Sequence, residues 1–253
     1  MFLVMTSSPC DDRVPAGVHL PCVLDARNGL EDCLRAHWKP DARLVVVSAD
    51  PHNDPLNDEM LDTFARMFAY HGLTQSSSVL LDARTERDAA RLITLSDVVL
   101  LGGGHVPTQN AFFGRIGLAR LLRGYTGLVI GISAGSMNCA QTVYAQPELP
   151  GESLDPGDRR FLPGLGLCRV QLLPHLQRVR DNWLDGRRLI DDITLEDSRG
   201  HAFIAIPDGS YVTQDGGRCT LFGEGWLLRD GSMSLLCREG ERRMITQEDN
   251  LWS

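Results

Sequence analysis

The sequence predicts an α/β protein built on a mostly parallel sheet, with antiparallel hairpins toward the C-terminus. Two observations carry this. From Ala42 onward, short apolar runs alternate with longer amphipathic stretches, the pattern of parallel strands joined by crossover helices. After Gly200 the apolar runs become short and closely spaced, divided by Asp208-Gly209, Asp215-Gly216-Gly217 and Asp230-Gly231, which are hairpin turn residues.

The elements follow in order. Residues 2–5 form one strand, edge or central, followed by a proline-containing loop and a helix over 29–38. Strands are predicted at 44–48, 78–81, 97–101, 128–132 and 169–173, and helices at 57–71, 86–95, 109–123 and 134–144. Leu61, Phe64, Met67 and Phe68 recur at helical spacing and mark a core-facing stripe. The late strands are expected at 203–206, 211–213, 219–222, 226–228 and 234–237.

Composition removes several classes of function. At 253 residues and 43% hydrophobic, the chain can bury a full core and a concave site. Its apolar runs, such as 44–47 and 98–101, fall far short of the roughly 20 residues of a membrane span. Residues 1–5 lack a preceding basic region and soon meet Asp11 and Asp12, so no secretory signal is expected and the expected location is cytoplasmic. A net charge of -8 without long acidic blocks argues against nucleic-acid binding. Seven scattered cysteines with no C-x-x-C pair argue against a disulfide framework and a zinc site. Lys39 is the only lysine, and it lies in no motif, which disfavours Schiff-base, Ser-Lys and Walker-type chemistry.

Gly131-Ile132-Ser133-Ala134-Gly135 is a G-x-S-x-G sequence between an apolar strand and a helix. Such a turn lifts Ser133 over the carboxyl edge of the sheet, at a helix N-terminus where free N–H groups favour a developing oxyanion. A serine hydroxyl needs a base. Of seven histidines, His175 is the best placed, just beyond the next strand after Ser133. His52 and His105 also follow strand ends, whereas His19, His37, His71 and His201 have structural explanations. Gly102-Gly103-Gly104 ends the preceding strand, so an amide of Gly103 or Gly104 can join that of Ala134 in an oxyanion hole.

Leu101-Gly102-Gly103-Gly104, the G-x-S-A-G sequence at 131–135 and Pro174-His175 together resemble the peptidase E (aspartyl dipeptidase) and cyanophycinase family of serine hydrolases. The run at 103–110, Gly-Gly-His-Val-Pro-Thr-Gln-Asn, resembles bacterial members described as type 1 glutamine-amidotransferase-like proteins. The resemblance covers about residues 42–230 of this chain. It implies a three-layer α/β/α, flavodoxin-like domain spanning 1–253, with Ser133 and His175 as the catalytic pair. Amidotransferases carry a glutamate two residues after the histidine, where this chain has Gln177. Resemblance to peptidase E instead points to Glu148 as the acid, with Glu152 or Asp155 as alternatives. It also implies an arginine clamp on a substrate carboxylate. The candidates are Arg178, Arg180, Arg187 and Arg188, with His105 as a further substrate contact.

The expected function is hydrolysis of a small peptide or amide through an acyl-enzyme at Ser133, with no metal or organic cofactor and no nucleic-acid or membrane partner; a homodimer is left open. Two alternatives stand beside it. One is a non-catalytic binding or regulatory module that keeps the fold, motivated by Gln177 and the unsettled acid. The other is an α/β-hydrolase esterase, which shares G-x-S-x-G and would use a later histidine such as His201.

Overall fold

The computed structural model describes residues 1–246 and 249. Its strands are β1 (Phe2–Thr6), β2 (Ala42–Val47), β3 (Gln75–Leu81), β4 (Val98–Leu101), β5 (Leu128–Ile132), β6 (Gln171–Leu173), β7 (Ala202–Ala205), β8 (Tyr211–Asp215), β9 (Arg218–Phe222), β10 (Gly225–Arg229), β11 (Ser232–Cys237) and β12 (Arg242–Ile245), besides short two-residue and three-residue pairs. The principal helices are α1 (Leu30–His37), α2 (Asp54–Tyr70), α3 (Ala89–Leu95), α4 (Val106–Arg115), α5 (Leu118–Leu121), α6 (Ala134–Met137) and α7 (Leu176–Val179).

Eight strands form the central sheet in the order β12-β9-β8-β1-β5-β4-β2-β3. From β1 to β3 every neighbouring pair is parallel. On the other side of β1 the sheet continues antiparallel through β8, β9 and β12. The parallel strands read as continuous apolar runs because both faces are covered. Val45, Val47, Val99, Leu101 and Val129 point into one core with α3, α4, α5 and α6. Their neighbours Leu44, Val46, Val98, Leu100 and Ile130 point into the other, against Leu30 and Leu34 of α1 and Met67 and Phe68 of α2. This alternation produces helices on both sides of a mostly parallel sheet, as the sequence predicts.

Three expectations are corrected. Strand 169–173 shortens to β6 and leaves the central sheet, pairing parallel with β7 in a second sheet of order β6-β7-β10-β11. The late hairpin strands are therefore divided between two sheets. The helix expected at 134–144 ends at Met137, and Thr142–Tyr144 becomes a strand paired with Phe161–Pro163. Its carbonyls explain the break: those of Asn138, Cys139 and Ala140 accept N–H groups from residues 165–168 instead of continuing a helix. The helix expected at 109–123 starts earlier, as α4, and breaks at Gly117, whose φ of 65° restarts the chain as α5. Among the described residues, no helix is long and apolar enough to cross a membrane.

Parallel register decides where the site forms. Thr6 of β1 lies opposite Ile132 of β5, and Leu101 of β4 opposite Gly131. The residues that follow these strands, Ser7, Ser133 and Gly102-Gly103-Gly104, therefore emerge together at one carboxyl edge. In the second sheet Leu173 pairs with Ala205, so His175 and the turn at 207–210 emerge side by side.

Candidate active site

Ser133 joins β5 to α6 with φ 50° and ψ -113°, a strained backbone for a residue with a side chain. The turn is held shut from below by β1. Thr6 O accepts both the Ser133 N–H (3.1 Å) and the Ser136 hydroxyl (2.7 Å), and Thr6 Oγ1 donates to Gly131 O. Close packing accounts for both glycines of the motif. A Cβ at Gly131 would lie 2.8 Å from Ser136 Cα, and one at Gly135 would fall on the Leu101 carbonyl.

His175 is itself in the left-handed region, at φ 58°. Its N–H donates to Ser7 Oγ at 2.7 Å, and the next amide, of Leu176, donates to Ile206 O. The ring is thereby aimed at the elbow: Nε2 lies 2.9 Å from Ser133 Oγ. Nδ1 of the same ring lies 2.7 Å from Asp208 Oδ1.

The carboxylate on His175 is therefore Asp208, which corrects the expectation for Glu148. Sequence reasoning treated Asp208-Gly209 as a hairpin turn only. No local signal marked it: only the parallel pairing of β7 with β6 brings an acid just past β7 to the edge of a histidine just past β6. Glu148 instead lines the cavity beside Ser133. Of the other acid candidates, Glu152 accepts the amides of Glu148 and Leu149 and approaches His105, and Asp155 lines a separate depression.

Asp208 is closely held. Its Oδ1 accepts the Ser7 hydroxyl at 2.6 Å, and Oδ2 accepts Gln177 Nε2 at 2.6 Å and faces Arg178 at 3.0 Å. The Asp208 N–H in turn donates to Gln177 Oε1, and Arg27 donates to the Asp208 carbonyl. Burial by itself would raise the carboxyl. The hydrogen bonds from His175 and Ser7, with the charges of His175 and Arg178, outweigh it and hold it at about 2. Gln177 and buried Ser7 are site residues that the sequence reading did not identify as such.

The glycine loop is also built from buried amides. Gln109 Nε2 donates to Gly102 O, while Asn138 Nδ2 donates to Gln109 Oε1 and Asn138 Oδ1 accepts from Asn110. These bonds set the 102–110 run against α6. Gly103 comes so near the nucleophile that a Cβ there would touch Ser133 Cβ at 3.4 Å, and Gly104, at φ +154°, leaves no room beside Ala49. The Gly102 amide is taken by Val47 O and the Ser133 amide by Thr6 O. Among the described residues, the amides of Gly103, Gly104 and Ala134 meet no protein acceptor.

The expected substrate clamp is not assembled. Arg187 donates to Asp192 O, and Arg188 pairs with Asp191 and Asp192. Arg180 lies over the Trp226 ring, and Arg178 is committed to Asp208. His105 caps α4, with Nδ1 at 2.7 Å from Thr108 Oγ1 and Nε2 at 2.8 Å from Glu152. Burial raises the Glu152 carboxyl, but the amides of Leu149 and Glu148 and the His105 contact outweigh this and hold it below its ordinary range. None of Arg187, Arg188 and His105 lines the cavity beside Ser133. His201 is remote from Ser133 in its contacts, stacked on Phe161 at 4.0 Å.

Two solved structures share this architecture. The crystal structure of a peptidase from an acI-B1 Actinobacterium superposes with a TM-score of 0.67 at 16% identity, covering 96% of each chain. A putative peptidase E protein from Listeria monocytogenes EGD-e superposes at 0.53 and 14% identity, covering 93% of this chain and 98% of that one. No curated protein matches the sequence. At these identities the structural likeness speaks for the fold. The sequence pattern of one family matches residues 46–222, more than half of the chain and inclusive of Ser133, His175 and Asp208, and on that match the chain belongs to peptidase family S51.

Proposed function

We propose that the protein is a serine peptidase that cleaves a small peptide or amide through an acyl-enzyme on Ser133. The observation that carries this is a single imidazole with Nε2 at 2.9 Å from Ser133 Oγ and Nδ1 at 2.7 Å from a half-buried, ionised carboxylate. In that geometry Ser133 Oγ attacks the scissile carbonyl carbon while its proton passes to His175 Nε2. Asp208 fixes the tautomer and stabilises the imidazolium. The amides of Ala134 and of Gly103 or Gly104 receive the oxyanion. His175 then gives its proton to the departing amine, and water, deprotonated by the same ring, releases the acyl group.

Membership of a peptidase family and the elbow geometry support the same reading. The rival reading of a non-catalytic module gains where the histidine lacks a carboxylate, and here Asp208 is within hydrogen-bonding reach. An esterase dependent on His201 is disfavoured by that ring's position. Labelling with a fluorophosphonate probe tests the proposal: wild-type protein is expected to be labelled and Ser133→Ala is not. An unlabelled wild type would overturn it.

A further inference from the structure

Residues 7–10 and 22–27 flank the turn that carries Asp208. Besides the bond from Ser7 to the carboxylate, Ser8 O accepts the Gly209 N–H at 3.4 Å and Pro9 O accepts the Asp25 N–H at 2.8 Å. Buried Asp25 pairs with Arg27, whose Nη2 also donates to the Asp208 carbonyl at 3.0 Å. A short antiparallel ladder, with Cys10 opposite Leu24 and Asp11 opposite Val23, joins the two segments. Side chains two residues apart share a strand face, so the ladder brings Cys22 diagonally beside Cys10.

All seven cysteines are free thiols, yet here two sulfurs meet: Cys22 Sγ lies 2.8 Å from Cys10 Sγ. Met67 Sδ of α2, at 3.8 Å from Cys10 and 3.7 Å from Cys22, closes the third side of the cluster. A thioether forms no disulfide, so each thiol has only the other as a bonding partner. Cys22 is buried and Cys10 partly exposed, which leaves the pair open to a small oxidant from one side. The hydrogen bond between the sulfurs holds the Cys22 thiol below its ordinary value and, together with burial, holds Cys10 above it. Among the described residues, no other two cysteine sulfurs are in hydrogen-bonding contact: Cys139 donates to Gly135 O and Cys168 to Met5 Sδ.

We propose that Cys10 and Cys22 form a reversible oxidation site, a dithiol that hydrogen peroxide converts to a disulfide stapling residues 7–10 to 22–27 beside the Asp208 turn. A thiolate of the pair attacks one peroxide oxygen, breaking the O–O bond and expelling hydroxide. The second thiol then attacks the sulfenic sulfur. The S–S bond forms, and the hydroxyl leaves as water with that thiol's proton. Two thiols are oxidised and one peroxide is reduced to two waters. The bond closes a loop of about 13 residues and constrains the unfolded chain far more than the folded one, in which the two sulfurs already meet. This site lies outside the reaction at Ser133 and stands whatever that serine hydrolyses.

The test treats the purified protein with hydrogen peroxide, alkylates the remaining thiols under denaturing conditions and digests without reductant. One intramolecular link between the Cys10 and Cys22 peptides is expected, with the other five thiols alkylated and the link reversed by dithiothreitol. The thermal midpoint of the oxidised protein is expected ~5–10 °C above that of the reduced protein, the shift for closing a loop of this length in a domain of this size. Cys10→Ser is expected to lose both the link and the peroxide-dependent shift. Should that variant not fold, oxidised against reduced wild type decides alone. Sulfinic acid at Cys10 or Cys22 without a link, a link to another cysteine or another copy of the chain, or equal midpoints for the two forms overturns the inference.

Discussion

Asp208 Oδ1 lies 2.7 Å from His175 Nδ1, across 33 residues of chain, because β6 and β7 run parallel and end together. This pairing, rather than any acid in the loop after the nucleophile helix, determines the expected mutational pattern. Asp208→Asn should lower kcat by about 10,000-fold, since an amide favours the wrong imidazole tautomer. Steady-state kinetics of Asp208→Asn beside Glu148→Gln checks this, and an equal loss of kcat in both variants would contradict the assignment.

Ser7 bridges the same pair, accepting the His175 N–H and donating to Asp208. Ser7→Ala removes one hydrogen bond to a charged group, worth about 1.5–3 kcal/mol, and should lower kcat by ~10- to 100-fold with KM nearly unchanged. Ser7→Thr, which retains a hydroxyl, should recover part of the activity. A purely structural role would shift the thermal midpoint without this split between kcat and KM.

The acid limit of stability also reports on Asp208. Its carboxyl is held at about 2 in the folded chain against an ordinary value of 3.8, so it contributes stability that is fully present above about pH 4 and lost as pH falls through 2. The linked free energy is about 2 kcal/mol. Urea unfolding of wild type and Asp208→Asn at pH 5 and pH 2 should reveal a stability difference that narrows by about that amount at the lower pH. A fall in activity between pH 7 and pH 5 would not be a titration of Asp208, which stays ionised throughout that range.

The elbow glycines make a stability prediction. Gly135→Ala places a methyl on the Leu101 carbonyl, backbone that cannot move aside, and should cost about 1–3 kcal/mol or more. Gly114→Ala, at a position where a Cβ meets nothing within 4 Å, is the control and should leave the unfolding midpoint nearly unchanged or slightly higher.

Much of the architecture is legible in local sequence because it depends on near neighbours. Apolar runs such as Leu128–Ile132 identify buried parallel strands, and G-x-S-x-G marks a turn whose tightness is a property of five consecutive residues. His175 could be placed from one strand end. Lys39, read only as a lysine outside every motif, proves to be a surface partner of Asp97. The first residues, the least explained by sequence, hold the elbow through Thr6 and the acid through Ser7. Nothing local distinguishes that serine from its neighbour Ser8.

What the chain by itself determines is therefore the α/β class, the strained nucleophile turn, the glycine loop before it and the histidine that follows. Tertiary structure alone decides that β6 and β7 form a second sheet, that Asp208 rather than Glu148 meets the imidazole, and that the arginines turn away from the cavity. The physical reason is range. Turns and amphipathic patterns are fixed by groups a few residues apart, whereas a hydrogen-bonded line of Ser133, His175 and Asp208 is set by which strand ends are brought to one edge.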